Sequence, residues 1–212
     1  MLHCKMLTGV REDRILFKDL SFTINPGEIV QVTGPNGVGK TTLFRLVIGL
    51  SSPYSGEVFW QGCPIFAERE SFHQQLLYLG HKAGIKPELT ALENLQFFHK
   101  LHLSEEEVDL WHVLAQVGLA GYEDITAAQL SAGQQRRVAL ARLWMNNCPL
   151  WVLDEPFTAI DKSGIAVLES LFVKHAEQGG MVLLTSHQDM MINSSLFRKI
   201  ELRNFAAGDE YV

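Results

Sequence analysis

The sequence predicts an α/β fold with a mostly parallel sheet core, a β-rich start and an inserted helical region. Three observations carry that prediction. Short, largely apolar runs at residues 150–153 and 181–185 read as buried strands, and a helical stretch separates them. A glycine-rich segment, residues 34–42, stands between an apolar run and a helical one. From Leu89 onward the spacing of apolar residues changes to a helical period. Strands alternating with helices require crossover connections, and these give parallel sheets.

The elements follow in order. Residues 21–24 read as a strand, Asn25-Pro26-Gly27 as a turn and residues 28–33 as a second strand. A helix is expected over residues 41–48. Residues 57–60 read as another strand, closed by Gln61-Gly62. In the helical region Ser104 and Glu107 form a capping box, after which Leu110, Leu114 and Val117 line one face and Gly118 and Gly121 mark the stop. Ser131 and Gln134 form a second capping box, opening an amphipathic helix through about Trp144. The expected organisation is one domain over residues 1–205, with a helical subdomain at about 82–130 and a loose tail at 206–212.

Composition bounds the function. Hydrophobic residues make up 47% of the 212, enough apolar surface for a packed core, so the chain is not disordered. Eighteen basic against 24 acidic residues leave a net charge of −6, which argues against a general nucleic-acid binder. No run of 18 apolar residues exists, since residues 138–153 are interrupted by Arg142, Asn146 and Asn147, and no membrane span is expected. The first residues lack a signal-peptide apolar stretch, so secretion is not expected. Three scattered cysteines without a CxxC pair fit a reducing cytosol and no zinc site.

Gly34-Pro35-Asn36-Gly37-Val38-Gly39-Lys40-Thr41, followed by Thr42, matches the phosphate-binding pattern GxxxxGK[ST] in its strand–loop–helix setting. Gly34, Gly37 and Gly39 let backbone N–H groups turn inward where a Cβ would obstruct. The helix start adds its positive dipole end, and Lys40 adds a point charge for the β- and γ-phosphates. Thr41 offers a hydroxyl to Mg²⁺. Leu150–Leu153 then ends in Asp154, Glu155 and Pro156. A buried Asp154 without a partner would be costly, so a cation is expected beside it, Mg²⁺ held with Thr41. Neighbouring strand residues point apart, but the strand ends here, and Glu155 can turn toward the γ-phosphate to polarise water.

Leu130-Ser131-Ala132-Gly133-Gln134 is a capped helix start containing a glycine, hence a second anion site, but one without a lysine. Two such sites suggest that a second copy donates Ser131 and Gly133 across a dimer interface. Here the sequence resembles the ABC-type ATPases, with Ala132 in place of the commoner glycine of their signature motif. The resemblance implies a P-loop NTPase fold of that type, with an antiparallel β part before the parallel core. It also implies Mg²⁺ with ATP as the working ligand, Ser131, Ala132, Gly133 and Gln134 acting in trans, and Asp161 in a D-loop. His187, after the apolar run 181–185 and 32 residues beyond Glu155, resembles the family's switch histidine. Glu155, His187 and Lys40 are the expected catalytic residues.

Two positions depart from the pattern. Residues 8–14 hold no aromatic to stack on adenine, and Phe17 fits strand packing, which leaves GTP as an open alternative. His81 stands where the family carries the glutamine of its Q-loop. An imidazole is a poorer Mg²⁺ ligand than an amide carbonyl, so His81 is expected to bond the lytic water or a phosphate. Gly80-His81, residues 130–144 and Asp154-Glu155-Pro156-Phe157-Thr158-Ala159-Ile160-Asp161 resemble one branch of the family, the ATP-binding subunits of haem export in bacterial cytochrome c maturation. That resemblance implies a homodimer working with integral membrane permease subunits that handle haem, on the cytoplasmic face of the inner membrane, without nucleic acid. His99 and His102, and His3 with Cys4, are not expected to bind haem. Another exporter's ATPase, a soluble ABC ATPase and a P-loop phosphotransferase are the alternatives.

Overall fold

The computed structural model describes residues 1–101, 107–188, 190, 192 and 195–203. The chain opens with β1 (Leu2–Arg11), β2 (Arg14–Ile24) and β3 (Ile29–Thr33), then α1 (Lys40–Val47). β4 (Ser55–Trp60), the short β5 (Cys63–Pro64), α2 (Arg69–Gln74) and β6 (Leu76–Leu79) follow. Three helices come next: α3 (Ala91–Leu101), α4 (Leu110–Gln116) and α5 (Ala132–Leu140). β7 (Leu150–Leu153), α6 (Lys162–Glu177), β8 (Met181–Thr185) and β9 (Phe197–Glu201) complete the order.

Two sheets result. β2, β1, β4 and β5 form an antiparallel sheet in that order, and β6, β7, β8, β3 and β9 form a parallel one. The fold is thus the mixed α/β P-loop arrangement expected from the apolar runs. Residues of β7 and β8 are buried throughout, as a sheet covered on both faces requires. Their side chains alternate. Leu150, Val152, Met181 and Leu183 pack with Leu43, Phe44 and Val47 of α1 in one core. Trp151, Leu153, Val182 and Leu184 pack with Leu168, Phe172 and Ala176 of α6 in the other. A third core, with Leu95, Phe98, Leu114 and Val138 among its members, joins α3, α4 and α5.

Several boundaries differ from expectation. β1 was not anticipated, because its central Met6 breaks the alternation with a bulge at φ 51°. The helix expected to end near Trp144 stops at Leu140, and residues 141–144 tighten into a 3₁₀ turn. Ser104 lies outside the described residues, and so does the tail at 206–212. α4 is capped instead by Asp109, whose carboxylate accepts from the N–H groups of Trp111 and His112. The second expected capping box, Ser131 with Gln134, is present in both directions.

Candidate functional site

Parallel strands end on the same edge of a sheet, and ligands of open α/β sheets bind beyond that edge. Four strands deliver the candidate residues there. β3 leads into residues 34–42, β6 into Gly80 and His81, β7 into Asp154 and Glu155, and β8 into Ser186 and His187. A cavity of about 300 Å³ is lined by Asn36, Gly37, Gly39, Lys40, Thr41, Thr42, His81, Asp154, Glu155 and His187, together with Arg11 and Leu16.

The phosphate loop is built for an anion. Gly34 has φ 143°, and a Cβ there would press on the Leu202 carbonyl oxygen. Gly39, at φ 109°, is the N-cap of α1, and no side chain caps the exposed N–H groups of that helix. Those groups and the dipole end therefore stay available to phosphate oxygens. Lys40 folds back over the loop, its Nζ donating to Gly34 O at 2.7 Å and to Pro35 O at 3.3 Å.

Asp154 is 3% exposed. It has partners within the chain: the Thr41 hydroxyl donates to its Oδ2 at 3.0 Å and the Thr185 hydroxyl to its Oδ1 at 2.8 Å. A hard divalent cation fits this place, since a carboxylate and a threonine hydroxyl are oxygen donors beside the phosphate loop. Among the described residues no group of three or more His, Cys, Asp and Glu side chains is placed to hold a metal ion by itself. Phosphate oxygens and water would supply its further ligands.

Glu155 turns as the strand ends. Its backbone takes the left-handed φ of 51°, and its side chain joins that of Asp154 in the same cavity. Glu155 Oε1 is buried without a hydrogen-bond partner, 3.5 Å from His187 Nε2. An orphaned carboxylate oxygen facing a phosphate cradle is placed to accept a proton or a hydrogen bond from water.

The remaining candidates lie elsewhere. Ser131 and Ala132 are exposed and do not line the cavity, and neither do Gly133 and Gln134. Asp161 also lies apart. It accepts from Arg137 Nη2 at 2.7 Å and from the Ser163 hydroxyl at 2.7 Å, and its carboxyl is held below the usual range, first by the Ser163 bond. His3 bonds Thr23, Cys4 is fully buried with its thiol pushed upward by desolvation, and His102 lies outside the described residues. Among the described residues no Phe, Tyr or Trp lines the cavity. Phe17 is fully buried in the core, as its strand position suggested.

Three residues of the site were not singled out from sequence. Gln31, on buried β3, donates to the carbonyls of Ser186 and Gln188 on either side of His187. Thr185 accepts from the Glu155 N–H at 2.9 Å while donating to Asp154. Arg136 donates to the carbonyls of Gly80, Asp154 and Glu155. A polar residue inside an apolar run, or an arginine on the buried face of a helix, is the signal that marks such positions.

With this geometry in place, comparison with known proteins decides the family. A family model described as ABC transporter matches residues 17–158. The chain belongs to that family. It is an ATP-binding, ATP-hydrolysing transport ATPase of the ABC type. The cytochrome c biogenesis ATP-binding export protein CcmA of Vibrio cholerae is 58% identical over 205 residues, covering 95% of this chain and 98% of that one. The protein of the same name from Pasteurella multocida is 57% identical over 205 residues, covering 96% and 95%. Among solved structures, a dimeric ATP-binding cassette in a post-hydrolysis state, bound to ADP and Pi, aligns with a TM-score of 0.75 at 25% identity, covering 89% of this chain and 88% of that one.

Proposed function

We propose that this ABC ATPase is the ATP-hydrolysing subunit of a haem-export complex in c-type cytochrome biogenesis. The observation that carries the ATPase part is the meeting of Asn36, Gly37 and Gly39 to Thr42 of the phosphate loop with His81, Asp154, Glu155 and His187 in one cavity at the end of four parallel strands. The biogenesis role rests on the likeness to export proteins of that process over 95% of the chain.

In this reading the N–H groups of residues 37–42 and the Lys40 ammonium bind the β- and γ-phosphates of ATP. Thr41 and Asp154 would hold Mg²⁺, which neutralises phosphate charge when bound. Glu155 orients the attacking water and takes up its proton, and His187 bonds the γ-phosphate or that water. His81 bonds the water or a phosphate. Ser131, Ala132, Gly133 and Gln134 of a second copy close over the γ-phosphate, and Asp161 lies at that junction. Exposure of Ser131 and Ala132 beyond the cavity supports such an arrangement, as does the dimeric state of the solved relative holding ADP and Pi.

Among the described residues no helix is long and apolar enough to cross a membrane. The chain would therefore work through integral membrane permease subunits, peripherally on the cytoplasmic face of the inner membrane. Hydrolysis would drive release of a haem-loaded carrier on the far side. Two measurements test the proposal. Glu155→Gln should bind ATP with near wild-type affinity yet hydrolyse it at least about 100-fold more slowly, a loss of the size that removal of a water-positioning group produces. Deletion of the gene should abolish holocytochrome c while leaving apocytochrome synthesis intact. Normal holocytochrome c in the deletion strain would sink the biogenesis role and leave the ATPase assignment standing.

A further inference from the structure

We propose that Arg136 is a positioning residue that ties the His81 segment to the backbone of Glu155. This rests on the reading of Glu155 as the water-activating residue. Arg136 lies on α5 at 6% exposure. Its guanidinium spans the ends of two neighbouring strands. Nη1 donates to Gly80 O at 2.8 Å, and Nη2 donates to Asp154 O and Glu155 O, each at 2.9 Å.

The position of those carbonyls gives the contact its meaning. β6 and β7 pair in parallel as far as Leu79 and Leu153, and Asp154 N–H adds one more bond to Leu79 O. Beyond that point the two chains diverge into the His81 segment and the Glu155 turn, where Glu155 O takes a backbone bond from within its own turn, the Thr158 N–H at 3.3 Å. The planar fork of Arg136 supplies the next rung.

Glu155 sits at φ 51° in a region that side chains rarely occupy, and such a conformation persists only when its surroundings over-determine it. Three contacts do so. The Thr185 hydroxyl holds the Glu155 N–H, while Arg136 and, less closely, the Thr158 N–H hold its carbonyl. Among the described groups Arg136 makes no side-chain ion pair. Its charge is spent on backbone carbonyls, and burial draws its pKa downward against the opposing pull of Asp154 and Glu155. An apolar residue on this helix face would pack without that desolvation penalty. A shift of the Gly80-His81 backbone therefore pulls on the same guanidinium that sets where the Glu155 carboxylate points.

The test uses the full chain, purified with the membrane subunits that accompany it. Arg136→Gln should lower kcat about 10–100-fold while KM for ATP and nucleotide Kd stay within about twofold, the pattern of a misplaced catalytic group. Arg136→Lys keeps the charge but loses the fork, so it should recover only part of the rate. If the glutamine variant fails to fold, the lysine variant carries the same measurements. His81→Ala should cost at least about threefold less in the Arg136→Gln background than in wild type, because contacts in one network are not additive. A wild-type kcat in either folded variant overturns the proposal. So does a kcat loss matched by weakened nucleotide binding, or additivity with His81→Ala. Glu155→Gln is the control: brisk turnover in that variant defeats the reading of Glu155 itself, whereas a stalled Glu155→Gln beside a normal Arg136→Gln defeats only the coupling.

Discussion

Thr185 shows how much one hydroxyl can hold. It donates to Asp154 Oδ1 and accepts the N–H of Glu155, so both carboxylate-bearing residues depend on it. The left-handed backbone at Glu155 costs a non-glycine residue about 1–3 kcal/mol unless neighbours impose it. Thr185→Val keeps the shape and removes both bonds. It should lower stability by about 1–3 kcal/mol, the cost of leaving buried polar groups unsatisfied, read as a shift in urea midpoint at constant slope. ATP turnover should fall with it. A stable, fully active Thr185→Val would show that the contacts on the Glu155 carbonyl hold the turn without it. Gln31 serves a similar purpose for His187, whose flanking carbonyls it anchors while the imidazole stays partly exposed.

The helices illustrate two ways to end an element. α5 begins with a complete capping box, Gln134 N–H donating to Ser131 Oγ and Ser131 N–H to Gln134 Oε1, which satisfies two orphan donors within the chain. α1 begins with Gly39 and has no side-chain cap, so its orphan donors remain for a phosphate. α6 carries a titration of its own. His175 stacks on Trp151 of β7, ring centroids 3.7 Å apart and planes within 5°. Burial lowers its pKa to about 4 from an ordinary 6.5. Above pH 6.5 the ring is neutral whether the chain is folded or not, and its contribution is whole. As pH falls from 6.5 toward 4 the unfolded chain takes up a proton that the folded chain refuses, so stability is lost in that window. His175→Phe keeps a stacked ring and removes the proton. Between pH 7 and 4.5 its melting temperature should fall less steeply than that of the wild type. Parallel slopes would mean that His175 protonates in place.

At the scale of the whole molecule, Ser131 and the phosphate loop of one chain do not share a cavity, so a single copy cannot complete the proposed site. Two half-sites in a pair of chains give a direct expectation. A chain carrying Lys40→Ala loses its phosphate cradle, and one carrying Ser131→Arg loses its trans contact; each alone should be inactive. Mixed in equal amounts they should regain about a quarter of wild-type turnover: half the dimers are mixed, with one intact composite site each. ATPase activity of the mixture against each parent checks this, and silence of the mixture would argue that each chain closes its own site.

Much of this architecture was legible from residue order alone. The runs at 150–153 and 181–185 were recognisable because a strand buried on both faces can be apolar throughout, and both matched the observed β7 and β8. The glycines at 34, 37 and 39 declared a loop that needs unusual backbone angles, and the box at Ser131 and Gln134 is a local device written in four residues. β1, the stop of α5 at Leu140 and the cap at Asp109 were less legible, since bulges and helix ends answer to the packing around them. The sequence by itself determined the chemical inventory: a phosphate loop, two carboxylates after a strand, a capped glycine-bearing helix start and an isolated histidine. Only tertiary structure decided which of these meet. Parallel pairing brings four strand ends to one edge, and the contacts of Thr185, Gln31 and Arg136 span 18 to 157 positions along the chain. No local pattern records such contacts, because what selects them is the cost of leaving a buried polar group without a partner.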